Sequence, residues 1–176
     1  SLYLSQPGVI ISTSGPGVTN LITPLQNAYS DGTPLLAITA QVPTTAIGTD
    51  AFQECDAVKL TAPCTKGRRL VLNENNIVEC LDIAYNVSMG ARKGPVHLDI
   101  PKDILTKEIN SELRIYPYKT HENIMGKNIM NKITLCRTLF ENCKKPLIIA
   151  GQGCNNSSEY LTRYSEKFNV PVTTTI

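Results

Sequence analysis

Residues able to do chemistry crowd into two stretches of the first third of the chain. Gln41-Val42-Pro43 is followed by Gly48-Thr49-Asp50-Ala51-Phe52-Gln53-Glu54, which sets an aromatic ring, a neutral amide and two carboxylates just past an apolar run that reads as a buried strand. In open α/β sheets ligands approach at the carboxyl ends of the strands, so a loop this rich in functional groups reads as a site. The same residues also suit an interface loop, and Asp50 or Glu54 would serve equally as a helix cap. The second stretch is Ser14-Gly15-Pro16-Gly17, where a strand hands over to a helix. Glycines there let backbone come close to a ligand and the helix N-terminus offers unpaired N–H groups. Tight strand-to-helix turns also use glycine for geometry alone. Gly151-Gln152-Gly153 lacks the full dinucleotide-binding spacing and reads as a plain turn. Lys66, Arg68 and Arg69 either clamp an anion or form a solvated face.

The six cysteines form no CxxC pair and no Cys/His cluster of zinc spacing, so they read as reduced thiols of an intracellular protein, and no metal site is expected among them. A net charge of +2 argues for neither nucleic acid nor an anionic membrane surface as a partner. No stretch approaches the roughly 18 apolar residues of a membrane span. With 41% hydrophobic and 18% charged residues the chain has an ordinary globular balance. It opens on Ser1 rather than methionine, so further sequence is expected upstream.

The elements that must position these groups follow from periodicity. Residues 9–13 form a β-branched run expected as a strand, and a helix reaches from the glycine loop to about Ser30, stopped by Asp31-Gly32. Residues 35–39 read as a second buried strand, which closes a βαβ unit. A short helix near 56–61 and a strand at 69–72 come next. Asn73 can cap the following helix, whose buried stripe is Ile77, Cys80, Leu81 and Ala84, with Ser88 beyond it and Gly90 at the end. Residues 95–100 make a further strand. Continuous apolar strands alternating with amphipathic helices predict an α/β fold, a parallel sheet flanked by helices. From 106 to 123 the chain turns polar and Pro-broken, as a linker would. A second α/β unit then starts, with a helical stripe of Ile129, Ile133, Cys136 and Phe140, and a strand at 146–150. Asn156 and Glu159 form a capping pair for a helix carrying Leu161, Tyr164 and Phe168, and another strand begins at Val170.

Thr13-Ser14-Gly15-Pro16-Gly17-Val18-Thr19-Asn20, Asp31-Gly32, Gln41-Val42-Pro43, Ile47-Gly48-Thr49-Asp50-Ala51-Phe52-Gln53-Glu54, Cys64-Thr65-Lys66, Gly94-Pro95-Val96 and Asp99-Ile100-Pro101-Lys102-Asp103 together resemble acetolactate synthase (acetohydroxyacid synthase) catalytic subunits, in order and spacing over nearly the whole chain. The SGPGxTN part is shared widely among thiamine-diphosphate enzymes, whereas QVP with GTDAFQE is much more particular to this family. The chain departs from the family's pattern at Ala40, at Gly67-Arg68 and at Ala91-Arg92-Lys93.

The resemblance implies that residues 1–106 are most of a pyrimidine-binding domain, 107–123 a linker and 124–176 the first part of a central FAD-associated domain. It implies thiamine diphosphate, Mg2+ and a structural FAD as cofactors, with Gln53 touching thiamine diphosphate and Arg92 touching FAD. Gly15, Pro16, Gly17 and Asn20 would lie near thiamine diphosphate. Phe52, Lys102, Val42, Pro43, Ala51 and Lys66 would line the substrate and inhibitor channel. The glutamate that activates the aminopyrimidine is expected before Ser1 and the metal-diphosphate motif beyond Ile176, so the chain alone is expected to be inactive. The implied reaction joins decarboxylated pyruvate to a second 2-keto acid, pyruvate or 2-ketobutyrate, in branched-chain amino acid synthesis. The implied assembly is a homodimer or larger homo-oligomer, with a regulatory small subunit as a further partner. The implied compartment is the cytoplasm of a prokaryote, or a plastid or mitochondrion. A glyoxylate carboligase-like enzyme and a non-catalytic assembly remnant are the alternatives; flanking sequence would separate them.

Overall fold

The computed structural model describes residues 6–90, 92–109 and 127–175. The chain divides into two compact units, Ser1–His121 and Glu122–Ile176. The expected linker lies outside the described residues from position 110 onward, as do Ala91 and Ile176.

The first unit is an α/β layer structure. Its strands β1 (Gly8–Ser12), β2 (Leu35–Gln41), β3 (Gly67–Leu70) and β4 (Pro95–Pro101) form one parallel sheet in the order β1-β2-β4-β3. Helix α1 (Pro16–Asp31) joins β1 to β2, the short α2 (Ala57–Leu60) precedes β3, α3 (Ile77–Met89) precedes β4, and α4 (Lys102–Leu105) leaves the end of β4. β4 is buried at every residue, as a parallel strand covered on both faces must be. β1, at the edge, alternates and leaves Val9 60% and Ile11 78% exposed.

The two faces of the sheet differ in chemistry. Successive residues of a strand point to opposite sides. One side buries Leu36, Val96, Leu98 and Ile100 with Cys80 and Ala84 of α3, Val71 and Ile104. The side toward α1 carries Ala37, packed with Leu25 and Cys64, but also the buried polar side chains Thr39, Gln41, His97 and Asp99.

Local chemistry accounts for the helix ends. Pro16 opens α1, where its missing N–H costs nothing, and Gly32 closes it in the left-handed conformation, with Thr33 donating back to the Ala28 carbonyl at 2.8 Å. Asn73 caps a 3₁₀ turn at Glu74–Asn76 by accepting from Asn75 N–H at 3.0 Å, and that turn runs into α3. Removing this acceptor with Asn73→Ala is expected to cost about 1 kcal/mol in urea unfolding. Ser88, expected beyond the buried stripe of α3, is fully buried and donates to the Tyr85 carbonyl at 2.8 Å.

Several boundaries differ from expectation: β2 runs on past 39 to Gln41, and the first strand of the second unit starts at Ile148 rather than 146. β3 occupies Gly67–Leu70 rather than 69–72, because pairing with β4 starts at Gly67 opposite Val96; Val71 still donates to the Asp99 carbonyl at 2.9 Å. In the second unit α6 (Ser158–Phe168) is not capped by Asn156 and Glu159. A 3₁₀ helix at Gln152–Ser157, grown from the turn expected at 151–153, leads straight into it, and Ser157 stands at the cap position without a side-chain bond.

That unit also contains α5 (Lys127–Glu141) and the parallel pair β5 (Ile148–Ala150) and β6 (Val172–Thr174). Phe140 of α5 meets Tyr164 of α6 edge-on at 5.9 Å, and Tyr164 meets Phe168 at 4.7 Å. The stripe read for α5 is nevertheless uncovered: Ile129, Ile133, Cys136 and Phe140 are all exposed. Among the described residues no helix is long and apolar enough to cross a membrane.

Candidate functional site

The carboxyl ends of β1, β2 and β4 gather the two loops that the sequence singled out. Gly15 takes a positive φ of 54°, and a Cβ added to it would lie 2.6 Å from the Gln53 carbonyl oxygen. The glycine loop and the 48–54 loop therefore touch backbone to backbone. Gln53 itself adopts φ 63° and Asp50 φ 56°, so the second loop is folded tightly on itself. Glu54 holds it closed: its carboxylate accepts the backbone N–H groups of Gly48, of Thr49 at 3.2 Å and of Ala51 at 3.0 Å. The Gly48 N–H, first among these donors, keeps the Glu54 carboxyl below its ordinary range. Phe52 at the tip is 89% exposed, and Gln53 is half-buried. Asp56, not Asp50 or Glu54, is the helix cap here, accepting from Lys59 N–H at the start of α2.

The Val42-Pro43 segment is fixed from the other side. Asp103, next to Lys102, accepts from the Thr44 N–H at 2.9 Å and from the Thr44 hydroxyl at 2.6 Å. These two bonds hold the Asp103 carboxyl below its usual range. Lys102 is thus carried at the head of α4, beside the loop that follows β2.

Beneath both loops runs a buried polar chain that sequence reading missed. Thr61 Oγ1 lies 2.9 Å from His97 Nδ1, His97 Nε2 lies 2.7 Å from Thr39 Oγ1, and Thr39 donates to Asp99 Oδ1 at 2.6 Å. Gln41 Nε2 then donates to Asp99 Oδ2 at 2.8 Å. Because the single Thr39 hydrogen goes to the carboxylate, His97 Nε2 carries the hydrogen of their contact, and the one Thr61 hydroxyl hydrogen is shared between His97 Nδ1 and the Ala57 carbonyl, 2.8 Å away. Burial pushes the His97 pKa down to about 4, so the ring is neutral. Burial also raises the Asp99 carboxyl, against the bonds from Thr39 and Gln41. Among the described residues no buried side-chain nitrogen or oxygen lacks a partner. The signal was the alternation Val96-His97-Leu98-Asp99-Ile100, polar every second residue inside a strand that reads as buried.

Residues 3–60 match the family described as "Thiamine pyrophosphate enzyme, N-terminal TPP binding domain". The chain is 39% identical over 97% of its length to the mitochondrial acetolactate synthase catalytic subunit of Aspergillus candidus, covering 26% of that protein. It is 39% identical over 97% of its length to the probable acetolactate synthase large subunit of Methanocaldococcus jannaschii, covering 30% of it. With chloroplastic acetolactate synthase 2 of Nicotiana tabacum the identity is 38% over 97% of the chain, covering 26% of that relative. Over nearly its whole length the chain is similar to acetolactate synthases, and its residues 3–60 match a thiamine pyrophosphate enzyme domain. It spans between 26% and 30% of the length of these relatives.

Of the positions that resemblance to acetolactate synthases picked out, Gly15, Pro16, Gly17, Val42, Pro43, Ala51, Phe52, Gln53 and Lys102 all lie at the carboxyl edge of the sheet or in the loops leaving it. Asn20 sits exposed one turn into α1, where Pro24 withdraws the N–H that its carbonyl would otherwise accept. Lys66 does not join them. Its backbone N–H donates to the Pro95 carbonyl at the opposite end of β4, about 20 Å away along a seven-residue strand. Its ammonium donates to the Val87 and Gly90 carbonyls at the end of α3, where the helix dipole favours a cation, and burial lowers its pKa. Arg92 is at that same amino edge, its guanidinium donating to the Ser30 carbonyl at the end of α1. The close approach at Gly15 is made to Gln53 rather than to an open space, so Gln53 fills the cradle the glycine provides.

Proposed function

We propose that the protein containing this chain is an acetolactate synthase catalytic subunit that joins decarboxylated pyruvate to a second 2-keto acid, giving 2-acetolactate or 2-aceto-2-hydroxybutyrate for branched-chain amino acid synthesis. The observation that carries this reading is the meeting of Gly15 with Gln53 at the carboxyl edge of the sheet, in a chain similar to those enzymes. An aminopyrimidine has flat apolar faces and polar edges; the exposed Phe52 ring and the half-buried Gln53 amide suit both. When bound, thiamine diphosphate supplies the nucleophilic carbon and the electron sink that 2-keto acid decarboxylation requires. The 1–106 segment is then the pyrimidine-binding domain, and 124–176 begins the central domain.

Phe52 excludes water from beside the reacting carboxylate, which favours its loss. Lys102 offers a cation that orients the carboxylate of the acceptor, with Val42, Pro43 and Ala51 as the apolar wall next to it. Arg92, exposed at the amino edge, has the charge to meet an anionic group of FAD. The residues that hold Mg2+ are proposed to lie outside this chain. A second copy of the chain, and a regulatory subunit, are the proposed partners. A mitochondrion, a plastid or a prokaryotic cytoplasm is the proposed compartment.

Acetolactate formation from pyruvate by the full-length protein, dependent on added thiamine diphosphate, tests the reaction. Carboligation of glyoxylate with no acetolactate would favour the alternative enzyme, and no turnover with either acid a non-catalytic role. Phe52→Ala is expected to lower turnover about tenfold and to change the preference between pyruvate and 2-ketobutyrate as acceptor. Unchanged turnover and preference would remove Phe52 from the site.

A further inference from the structure

Gln41 ends β2 and is 6% exposed, yet every polar atom of its side chain is engaged. The amide nitrogen donates to Asp99 Oδ2 and to the Cys55 carbonyl, both at 2.8 Å, and the amide oxygen accepts from the Val42 N–H at 2.9 Å. An ionised carboxylate only accepts, so Asp99 forces the NH2 group to face it, and the oxygen must then turn toward Val42. One side chain thus ties the floor of the sheet to both loops, at the start of Val42-Pro43 and just past Gln53-Glu54. Glu54 cannot do this, because its three donors all lie within its own loop; it shapes the loop without locating it on the sheet.

We propose that Gln41, held in one orientation by Asp99, is the positioning residue that sets the Phe52-Gln53 turn against Gly15. This rests on the reading of the turn as a thiamine diphosphate contact for its functional meaning, but not for its geometry. The Cys55 carbonyl also takes the Ala57 N–H at 2.9 Å, so the turn and the start of α2 are located together. Thr39 and, through it, His97 restrain Asp99 from the other side.

Gln41→Glu in the full-length protein tests the proposal. It removes the donor to the Cys55 carbonyl and sets a second carboxylate against Asp99, where two such groups hold one proton between them until pH rises. The other groups that face this point are quiet near neutrality. Glu54 and Asp56 lie below the ordinary carboxylate range, the Cys55 thiol is pushed up by burial, and His97 lies at about 4. Leu70 is the neighbour from β3, and α1 carries no charge except Asp31 at its far end.

Two readouts are needed: hydrogen exchange of amides 42–56 without cofactor, followed by mass spectrometry, and the affinity for thiamine diphosphate. At pH 8 we expect exchange in 42–56 about tenfold faster and cofactor affinity about tenfold weaker, both recovering in part at pH 6, with α3 unchanged. Gln41→Met should show the same local loosening at both pH values. Exchange in 42–56 equal to the parent's, faster across the whole sheet, or accelerated over the parent by the same factor at pH 6 and 8 in the glutamate variant would each overturn the proposal. A parent protein that binds no thiamine diphosphate would remove the cofactor reading instead, and the exchange data would still decide the positioning role.

Discussion

Gly15→Ala is expected to lower the stability of the sheet unit by roughly 2–4 kcal/mol and to weaken thiamine diphosphate binding with it. The backbone there has φ 54° and ψ −106°, a region that side-chain-bearing residues avoid. The added methyl group would also lie 2.6 Å from the Gln53 carbonyl oxygen and 3.0 Å from its Cα. Those are main-chain atoms and cannot rotate aside. Relief requires the 48–54 loop to back away, which strains the Gln41 bond to the Cys55 carbonyl. Gly17→Ala is the control, since its methyl group would meet Ser12 Oγ and Thr13 Cγ2, side-chain atoms that can turn away. Urea unfolding of the two variants should separate them clearly; equal losses would show that the contact with Gln53 imposes no requirement for glycine.

The second large effect is one of pH. His97 has a folded pKa of about 4 against an ordinary 6.5, so the unfolded chain takes up a proton in this window and the folded one does not. Stability from keeping the ring neutral is therefore fully present above 6.5 and is lost as pH falls toward 4. Between pH 7.5 and 5.0 the loss amounts to about 2 kcal/mol. Asp99 works the other way: burial raises its folded pKa above 3.8, so it favours the folded state in acid and loses that contribution as pH rises through the folded value. His97→Leu should abolish the decline between 7.5 and 5.0, since Thr39 keeps Asp99 and Thr61 keeps the Ala57 carbonyl as partners. A leucine variant that retains the full decline would move the effect to another group.

Much of the fold could be read from local pattern because β1, β2 and β4 are apolar runs bounded by glycine, proline or acidic turns. The offset of β3 could not, because its register is set by β4, about thirty residues further on. The loop at 48–54 was legible through its composition, and the glycine loop through its place between strand and helix. Their contact was not, since nothing local says that Gly15 meets Gln53. Thr39, His97 and Asp99 were passed over as strand residues for a similar reason, and Gln41 was singled out without its partner. Each finds its partner 58 or 60 positions away, beyond the reach of periodicity. Lys66 shows the reverse case. Its place in a familiar stretch suggested the channel, whereas the direction of β3 carries it to the far end of the sheet.

The unequal sides of the sheet also govern how this protein can accumulate change. On the aliphatic side, Leu36, Val96, Leu98 and Ile100 can exchange methyl and methylene groups one position at a time, provided volume is kept. On the other, a hydroxyl, an imidazole, a carboxylate and an amide depend on one another's hydrogens, so altering one strands its neighbour and the cost of two changes is not their sum. Divergent descendants can drift freely across the first side and can cross the second only by concerted replacement.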